Sequence, residues 1–356
     1  MRKLAVVLIG WLFAMSVKAA DHCVILQYHH VSESTPGITS VTPDQFQQHL
    51  DYLKNNNYRV MALETVIRAM QQNQALPDKC IALTIDDAFK SIYKEAWPRA
   101  RNYDFPLTVF VSTESVDQGL KAYVTWDQIR EMSKAGVSFQ NHSHSHDHLI
   151  RRDKDESKED WEQRIASEIL IAQNRIQEEV GINPTLFAYP YGEYTTELKE
   201  IIRSIGLVGF GQQSGPIWKD GDFAALPRFP MASVYASMKT FPTKVASLPL
   251  PVESISPGEP VVELDEWSPT VTLKFKPKSY KRHLLTCFAN GSPAVEYVWP
   301  EDQSDTVEVT TKGKLNIGRN RYNCTMPSKQ NGRFHWYSHN WIRRKADGSW
   351  YREAGL

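Results

Sequence analysis

The sequence predicts an α/β fold, a distorted (β/α)7-type barrel followed by a smaller C-terminal all-β sandwich. Two patterns carry this expectation. Between residues 23 and 210, short apolar β-rich runs alternate with amphipathic helical stretches about seven times, as βα units around a parallel sheet do. Closure into a barrel, incomplete or not, fits the length better than an open sheet, and it gathers the loops after strand ends on one face. Beyond Ser247 the helical period disappears. There, short β-rich runs are separated by Gly, Asn and Asp turns.

The chain of 356 residues is 41% hydrophobic and 23% charged, a globular composition with room for one large domain or two unequal ones. Its 41 acidic and 41 basic residues balance, and no long basic run offers a nucleic-acid footprint, so no nucleic-acid partner is expected. Arg2 and Lys3 precede an apolar run from Leu4 to Val17, and Val17-Lys-Ala19 offers small residues for cleavage. Residues 1–19 therefore read as a secretory signal peptide, with a retained signal anchor as the alternative. No other stretch approaches the ~20 apolar residues a bilayer requires. The expectation is a periplasmic or secreted protein with no stable membrane span after signal cleavage. Four cysteines in an exported chain suggest two disulfides. Cys23 and Cys80 open two predicted strands and share one end if those strands are parallel neighbours. Cys287 and Cys324 both fall in the C-terminal region and would pair there. No CxxC spacing favours a cysteine metal site.

The elements follow in order. Val24 to Tyr28 is a β-rich run leading into His29 and His30. Thr42-Pro43 starts a helix, with Pro in the first turn and Phe46, Leu50 and Leu53 on one face. Arg59 to Met61 is a short strand and Leu63 to Gln72 a second helix. Ile81 to Ile85 is a buried strand, Ser91 to Asn102 is helical, and Leu107 to Val111 is a strand. Trp126 to Ala135 is a helix stopped by Gly136, and Val137 to Asn141 is a strand. A charged helix from Glu156 to Val180 carries Trp161, Ile165, Ile169, Ala172 and Ile176 as its apolar stripe. Leu186 to Ala188, Thr196 to Ser204 and Leu207 to Phe210 complete the alternation. A first domain at 20–247, a Pro- and Ser-rich linker at 248–260 and an all-β domain at 261–356 are expected. The β-rich runs of the last are Val271 to Phe275, His283 to Phe288, Glu296 to Trp299, Thr306 to Thr310 and Gly332 to Tyr337.

The strand Ile81 to Ile85 ends in two adjacent carboxylates, Asp86 and Asp87. Carboxylates at the lip of a buried strand need a cation or hydrogen-bond donors. The alternative is a solvated loop start with Asp87 capping a helix. The strand ending at Asn141 runs into His142-Ser-His-Ser-His146-Asp-His148. His142 and His146, four apart, can converge on one cation, and His144 with His148 shares that spacing. Both clusters lie at strand ends and so on one face. Two imidazoles and a carboxylate with open positions make a catalytic rather than a closed metal site; Zn2+ is the first choice, with other divalent metals open.

These residues carry a family resemblance. Thr84-Ile-Asp-Asp87 resembles the T-F-D-D motif of the carbohydrate-esterase family 4 polysaccharide deacetylases, with Ile85 in place of Phe. His142-Ser-His-Ser-His146 resembles their H-[S/T]-x-x-H motif, which selects His142 and His146. Ala188-Tyr-Pro-Tyr191 resembles their R-x-P-Y motif, with Ala188 where Arg is usual. Tyr28-His29 and Phe187-Ala-Tyr-Pro-Tyr-Gly192 look most like the poly-β-1,6-N-acetylglucosamine deacetylase branch. The resemblance implies metal-dependent removal of N-acetyl groups from an N-acetylglucosamine polysaccharide, an exopolysaccharide in that branch. It implies Asp87, His142 and His146 as metal ligands, Asp86 as general base, and Tyr191 with Pro190 at the substrate and oxyanion position.

Two departures matter. No His exists between His148 and His283, so the late L-x-H acid of the family is missing. His29 is assigned as the acid, with His30 as fallback and a packed histidine as the alternative. Ala188 leaves Asp86 without its usual Arg, and Arg228 in Leu226-Pro-Arg-Phe-Pro230 is the candidate replacement. Trp336, Tyr337, Trp341, Trp350 and Tyr351 would stack on sugars if exposed in a row; as core they pack the sandwich, the better reading for at least two of them. Two rival readings are a glycosidase using Asp86, whose chemistry adjacent residues serve badly, and a non-catalytic carbohydrate-binding protein on the same fold.

Overall fold

A computed structural model describes residues 19–276, 282–289, 295–300, 305–330 and 332–353; residues 1–18 of the expected leader lie outside them. The barrel strands are β1 (His22–Tyr28), β2 (Cys80–Ile85), β3 (Leu107–Val111), β4 (Ser138–Asn141), β5 (Leu186–Ala188) and β6 (Val208–Phe210). Two short strands follow, β7 (Ile217–Trp218) and β8 (Phe229–Pro230). They form one curled sheet in the order β6-β5-β4-β3-β2-β1-β7, parallel except for β7, with β8 beside β1 and Arg59–Val60 beside the start of β2. This is a barrel-like α/β domain, as expected.

Every residue of β1, β2 and β3 is buried, which is why these strands read as continuous apolar runs rather than as alternation. Successive side chains still point to opposite faces. Ile25, Ala82, Phe110, Ala188 and Phe210 fill the interior, while Leu26, Leu83, Ile85 and Val109 lie under the helices.

Helices α1 (Pro43–Asn55), α2 (Leu63–Gln71), α3 (Trp97–Arg101), α4 (Trp126–Lys134), α5 (Lys158–Val180) and α6 (Thr196–Ile205) cover the sheet. Their ends are set locally. Thr42 and Thr125 each close a capping box with a Gln three residues on, and Gly181 and Gly206 end α5 and α6 in left-handed conformation. The helix expected from Ser91 to Asn102 is a π-helical turn, Ile92–Ala96, leading into the short α3. That widened turn lies just after the Asp86-Asp87 pair.

The barrel closes irregularly. Gly209 N–H donates to Phe223 O, Leu226 N–H donates to Gly209 O and Gly211 N–H to Leu226 O, before β8 joins β1 with Phe229 opposite Leu26. Residues 223–230 thus bridge the gap between β6 and β1 where a regular strand would run.

Beyond it lie β9 (Leu248–Pro249), β10 (Val252–Ser256), β11 (Thr270–Phe275), β12 (Thr286–Ala289), β13 (Val295–Val298), β14 (Thr306–Thr311), β15 (Gly318–Pro327) and β16 (Phe334–Arg343). They make two four-stranded sheets, β9-β16-β15-β12 and β10-β11-β14-β13. One apolar cluster draws on both, with Val271, Leu273, Val307 and Val309 meeting Tyr322, Cys324 and Trp341. The segment expected as linker, 248–260, is strand at β9 and β10, each in a different sheet. β15 has no counterpart among the expected runs, and β16 continues past the expected end at Tyr337.

The β15–β16 face covers the irregular closure. Trp336 meets Phe229 edge-on at 5.2 Å, and Arg321 donates to Gln212 O at 2.8 Å. Disulfides join Cys23 to Cys80 at the starts of β1 and β2, and Cys287 to Cys324 directly across β12 and β15. No helix among the described residues is long and apolar enough to cross a membrane.

Candidate functional site

At the C-terminal end of β2 the backbone solves a geometric problem. Asp86 continues the strand alternation: its N–H donates to Tyr28 O at 2.9 Å and its side chain turns inward. Asp87 and Ala88 then take positive φ of 72° and 59°, which breaks the alternation and lets the second carboxylate share the same mouth.

Asp86 is fully buried and fully partnered. Gln27 Nε2 donates to its Oδ2 at 2.6 Å, and Arg228 donates with both terminal nitrogens, at 2.7 Å to Oδ1 and 2.8 Å to Oδ2. Arg228 Nε is in turn held by Gly211 O at 3.0 Å. Its position inside the barrel follows from the closure segment crossing between β6 and β1. Burial alone would raise the Asp86 carboxyl pKa; the Arg228 guanidinium outweighs that, and the carboxyl lies below its ordinary value.

Asp87 Oδ1 lies 3.2 Å from His142 Nε2 and 3.1 Å from His146 Nε2. His142 Nδ1 sits 2.7 Å from Ala188 O, which fixes Nδ1–H as donor and leaves the Nε2 lone pair facing Asp87. A turn brings the second histidine round: Ser143 N–H donates to Asn141 Oδ1, His146 N–H donates to Ser143 Oγ, and Ser143 and His146 both have positive φ. Three acceptor atoms thus converge, and Asp87 Oδ1 is buried with no donor aligned on it. A tetrahedral shell with bonds of ~2 Å has edges of about 3.3 Å. The observed edges fit a divalent cation bound by Asp87, His142 and His146.

His29, half-buried directly after β1, falls level with Asp86 and within electrostatic reach of Asp87, Asp86, Arg228 and His142. Burial lowers its pKa, with the two carboxylates opposing. His30 is buried and stacked on Phe89 at 3.8 Å, and burial holds its pKa at about 4, so its ring is committed to packing. Pro190 and Tyr191 form a tight turn after β5, Tyr191 at φ 59°, with its ring 4.8 Å from that of His146. Tyr189 is core: its hydroxyl donates to Ala224 O.

The other two histidines of the 142–148 cluster have other partners. His144 Nδ1 pairs with Thr113 Oγ1 at 2.9 Å, and His148 Nδ1 with Glu193 Oε2 at 2.7 Å. His148, Glu193 and Glu353 also cluster, but Arg319 and Tyr351 donate into that group, so its charge is already met. Sequence reasoning missed Gln27, Glu193 and Arg319, and it named Tyr351 only as a sugar-stacking or core aromatic, not as a partner of Glu193. Only Gln27 left a signal, as the lone amide in an apolar strand. Of the C-terminal aromatics, Trp341 and Tyr351 are buried, and Trp336 packs on the barrel.

Residues 73–210 match the family model described as Polysaccharide deacetylase. The Staphylococcus aureus poly-β-1,6-N-acetyl-D-glucosamine N-deacetylase is 24% identical over 196 residues, 53% of this chain and 67% of that protein. Among solved structures, the Streptococcus pyogenes deacetylase PplD in complex with acetate has a TM-score of 0.54 at 27% identity, covering 60% of this chain and 93% of that one. IcaB from Ammonifex degensii has a TM-score of 0.54 at 25% identity, covering 64% and 97%. The matched family model and the matched fold agree: residues 73–210 are a domain of the polysaccharide deacetylase family.

Proposed function

We propose that the chain is a metal-dependent N-deacetylase of an N-acetylglucosamine polysaccharide, an exopolysaccharide handled in the periplasm or outside the cell. The observation that carries this is the meeting of Asp87, His142 and His146 beside an Asp86 held ionised by Arg228. The activity for which the Staphylococcus aureus relative is named supports the substrate class. The two disulfides suit an oxidising compartment.

Asp87, His142 and His146 would hold the cation, with Zn2+ first among candidates for this donor set. When bound it supplies Lewis acidity toward water and the acetamide carbonyl. Asp86 takes the proton of the attacking water. Arg228 and Gln27 fix the direction of that carboxylate. The Tyr191 N–H, in the turn after Pro190, donates to the oxygen that gains charge. His29 returns a proton to the departing amine, so amide and water become acetate and an ammonium group. Residues 20–247 form the catalytic unit, and the two C-terminal sheets, which begin with β9 and β10, an accessory β-sandwich.

Acetate release from β-1,6- and β-1,4-linked N-acetylglucosamine oligomers, with and without chelator, tests the reading. Chelator-sensitive release is expected, greater on the β-1,6 series. Chain cleavage without acetate would make it a glycosidase, and oligomer binding without turnover a non-catalytic module.

A further inference from the structure

The turn that carries Tyr191 is pinned from the barrel and from the C-terminal sheets together. Its ring stacks on His148 at 3.8 Å between centroids and meets the Arg319 guanidinium at 5.4 Å. Glu193, two residues on and only 1% exposed, is held by His148 Nδ1 at 2.7 Å, by Arg319 Nη1 at 3.2 Å and by the Tyr351 hydroxyl. Arg319 also pairs with Glu353 at 2.8 Å. Between Tyr191 and Glu193 lies Gly192, at φ 70°, where a Cβ would come within 2.6 Å of the Gln212 side chain. Gln212 is itself tied to the C-terminal sheet, since Arg321 donates to its carbonyl at 2.8 Å.

We propose that Arg319 in β15 and Tyr351, beyond β16, are positioning residues for the Tyr191 turn. The C-terminal sheets thereby complete a catalytic face whose other groups all come from the barrel. A non-glycine residue at positive φ persists only when its surroundings over-determine it. Here the barrel supplies one of three donors to Glu193, and the C-terminal unit supplies two. The guanidinium acts twice, through its face on the ring and through its fork on the two carboxylates. The inference rests on the deacetylase reading, in which the Tyr191 N–H serves the oxyanion. An amide displaced by a fraction of an ångström loses rate rather than affinity.

The test uses the full chain and two readouts. Hydrogen exchange of the Gly192 and Glu193 amides, bonded to Tyr189 O and Pro190 O, reports the turn. Steady-state acetate release and metal content report the site. For R319A, exchange is expected to rise at least about tenfold and kcat to fall roughly 10- to 100-fold, with KM within about twofold and metal content unchanged. R319K, which keeps the charge beside Glu193, should recover part of the kcat. Should R319A fail to fold, Y351F, which removes one hydroxyl, is read by the same measurements. Unchanged exchange and unchanged kcat in the folded variants overturn the proposal. A wild-type protein that releases no acetate overturns the deacetylase reading instead, and the exchange arm still decides whether the turn is held from the C-terminal sheets.

Discussion

Arg228 clasps the carboxylate of Asp86 with two hydrogen bonds, 2.7 and 2.8 Å long, and neither side chain is exposed at all. Removing one partner of such a pair leaves a bare charge in the barrel interior. Arg228→Ala should therefore cost about 3–5 kcal/mol of stability, read as a lower urea midpoint at unchanged slope. Arg228→Lys keeps the charge but not the planar fork, so it should fall between the two.

Metal retention separates the histidines. His142→Ala and Asp87→Ala each remove one converging acceptor and should lower metal affinity by more than the 10–100-fold typical of outer-shell changes. His144→Ala should leave metal content unchanged, because His144 pairs with Thr113. Elemental analysis after dialysis, with chelator competition, reads both. Metal loss in the His144 variant would show that the register is misassigned.

Acid should weaken the join between barrel and C-terminal sheets. His148, Arg319 and Tyr351 outweigh burial and hold the Glu193 carboxyl below its ordinary 4.5. A depressed carboxyl stabilises fully above the unfolded value and loses that contribution as pH falls through the folded one. The wild-type urea midpoint should thus drop below about pH 4.5 more steeply than that of Glu193→Gln. At pH 7 the substitution should cost about 1–3 kcal/mol, toward the low end because Arg319 is partly exposed.

The Cys23–Cys80 bridge closes a loop of 57 residues between the starts of β1 and β2. Loop-closure entropy puts its worth at about 4 kcal/mol. The double Ala variant should unfold at a correspondingly lower denaturant concentration while still binding metal, since the bridge lies at the end of the strands away from Asp87.

How much was legible follows from distance along the chain. Asp86, Asp87, His142 and His146 could be read because each pair follows the end of a strand, and strand ends in a βα fold share a face. Arg228 could be named but not placed, since its reach depends on how residues 223–230 close the barrel. β9 hid behind Pro249, which an edge strand tolerates. β15 hid because both its faces are partly buried and each carries a buried amide, Asn320 on one and Asn323 on the other, so no apolar alternation shows. Glu193 and Arg319 lie 126 residues apart and bear no mark of one another.

The most direct measurement pairs metal analysis with acetate release for Asp86→Asn, using β-1,6-linked N-acetylglucosamine oligomers. The account predicts that the variant keeps its metal, held by residues 87, 142 and 146, and loses acetate release by about 10²–10⁴-fold. Turnover at the wild-type rate in a metal-loaded variant would contradict it, because the carboxylate clasped by Arg228 would then have no part in the chemistry.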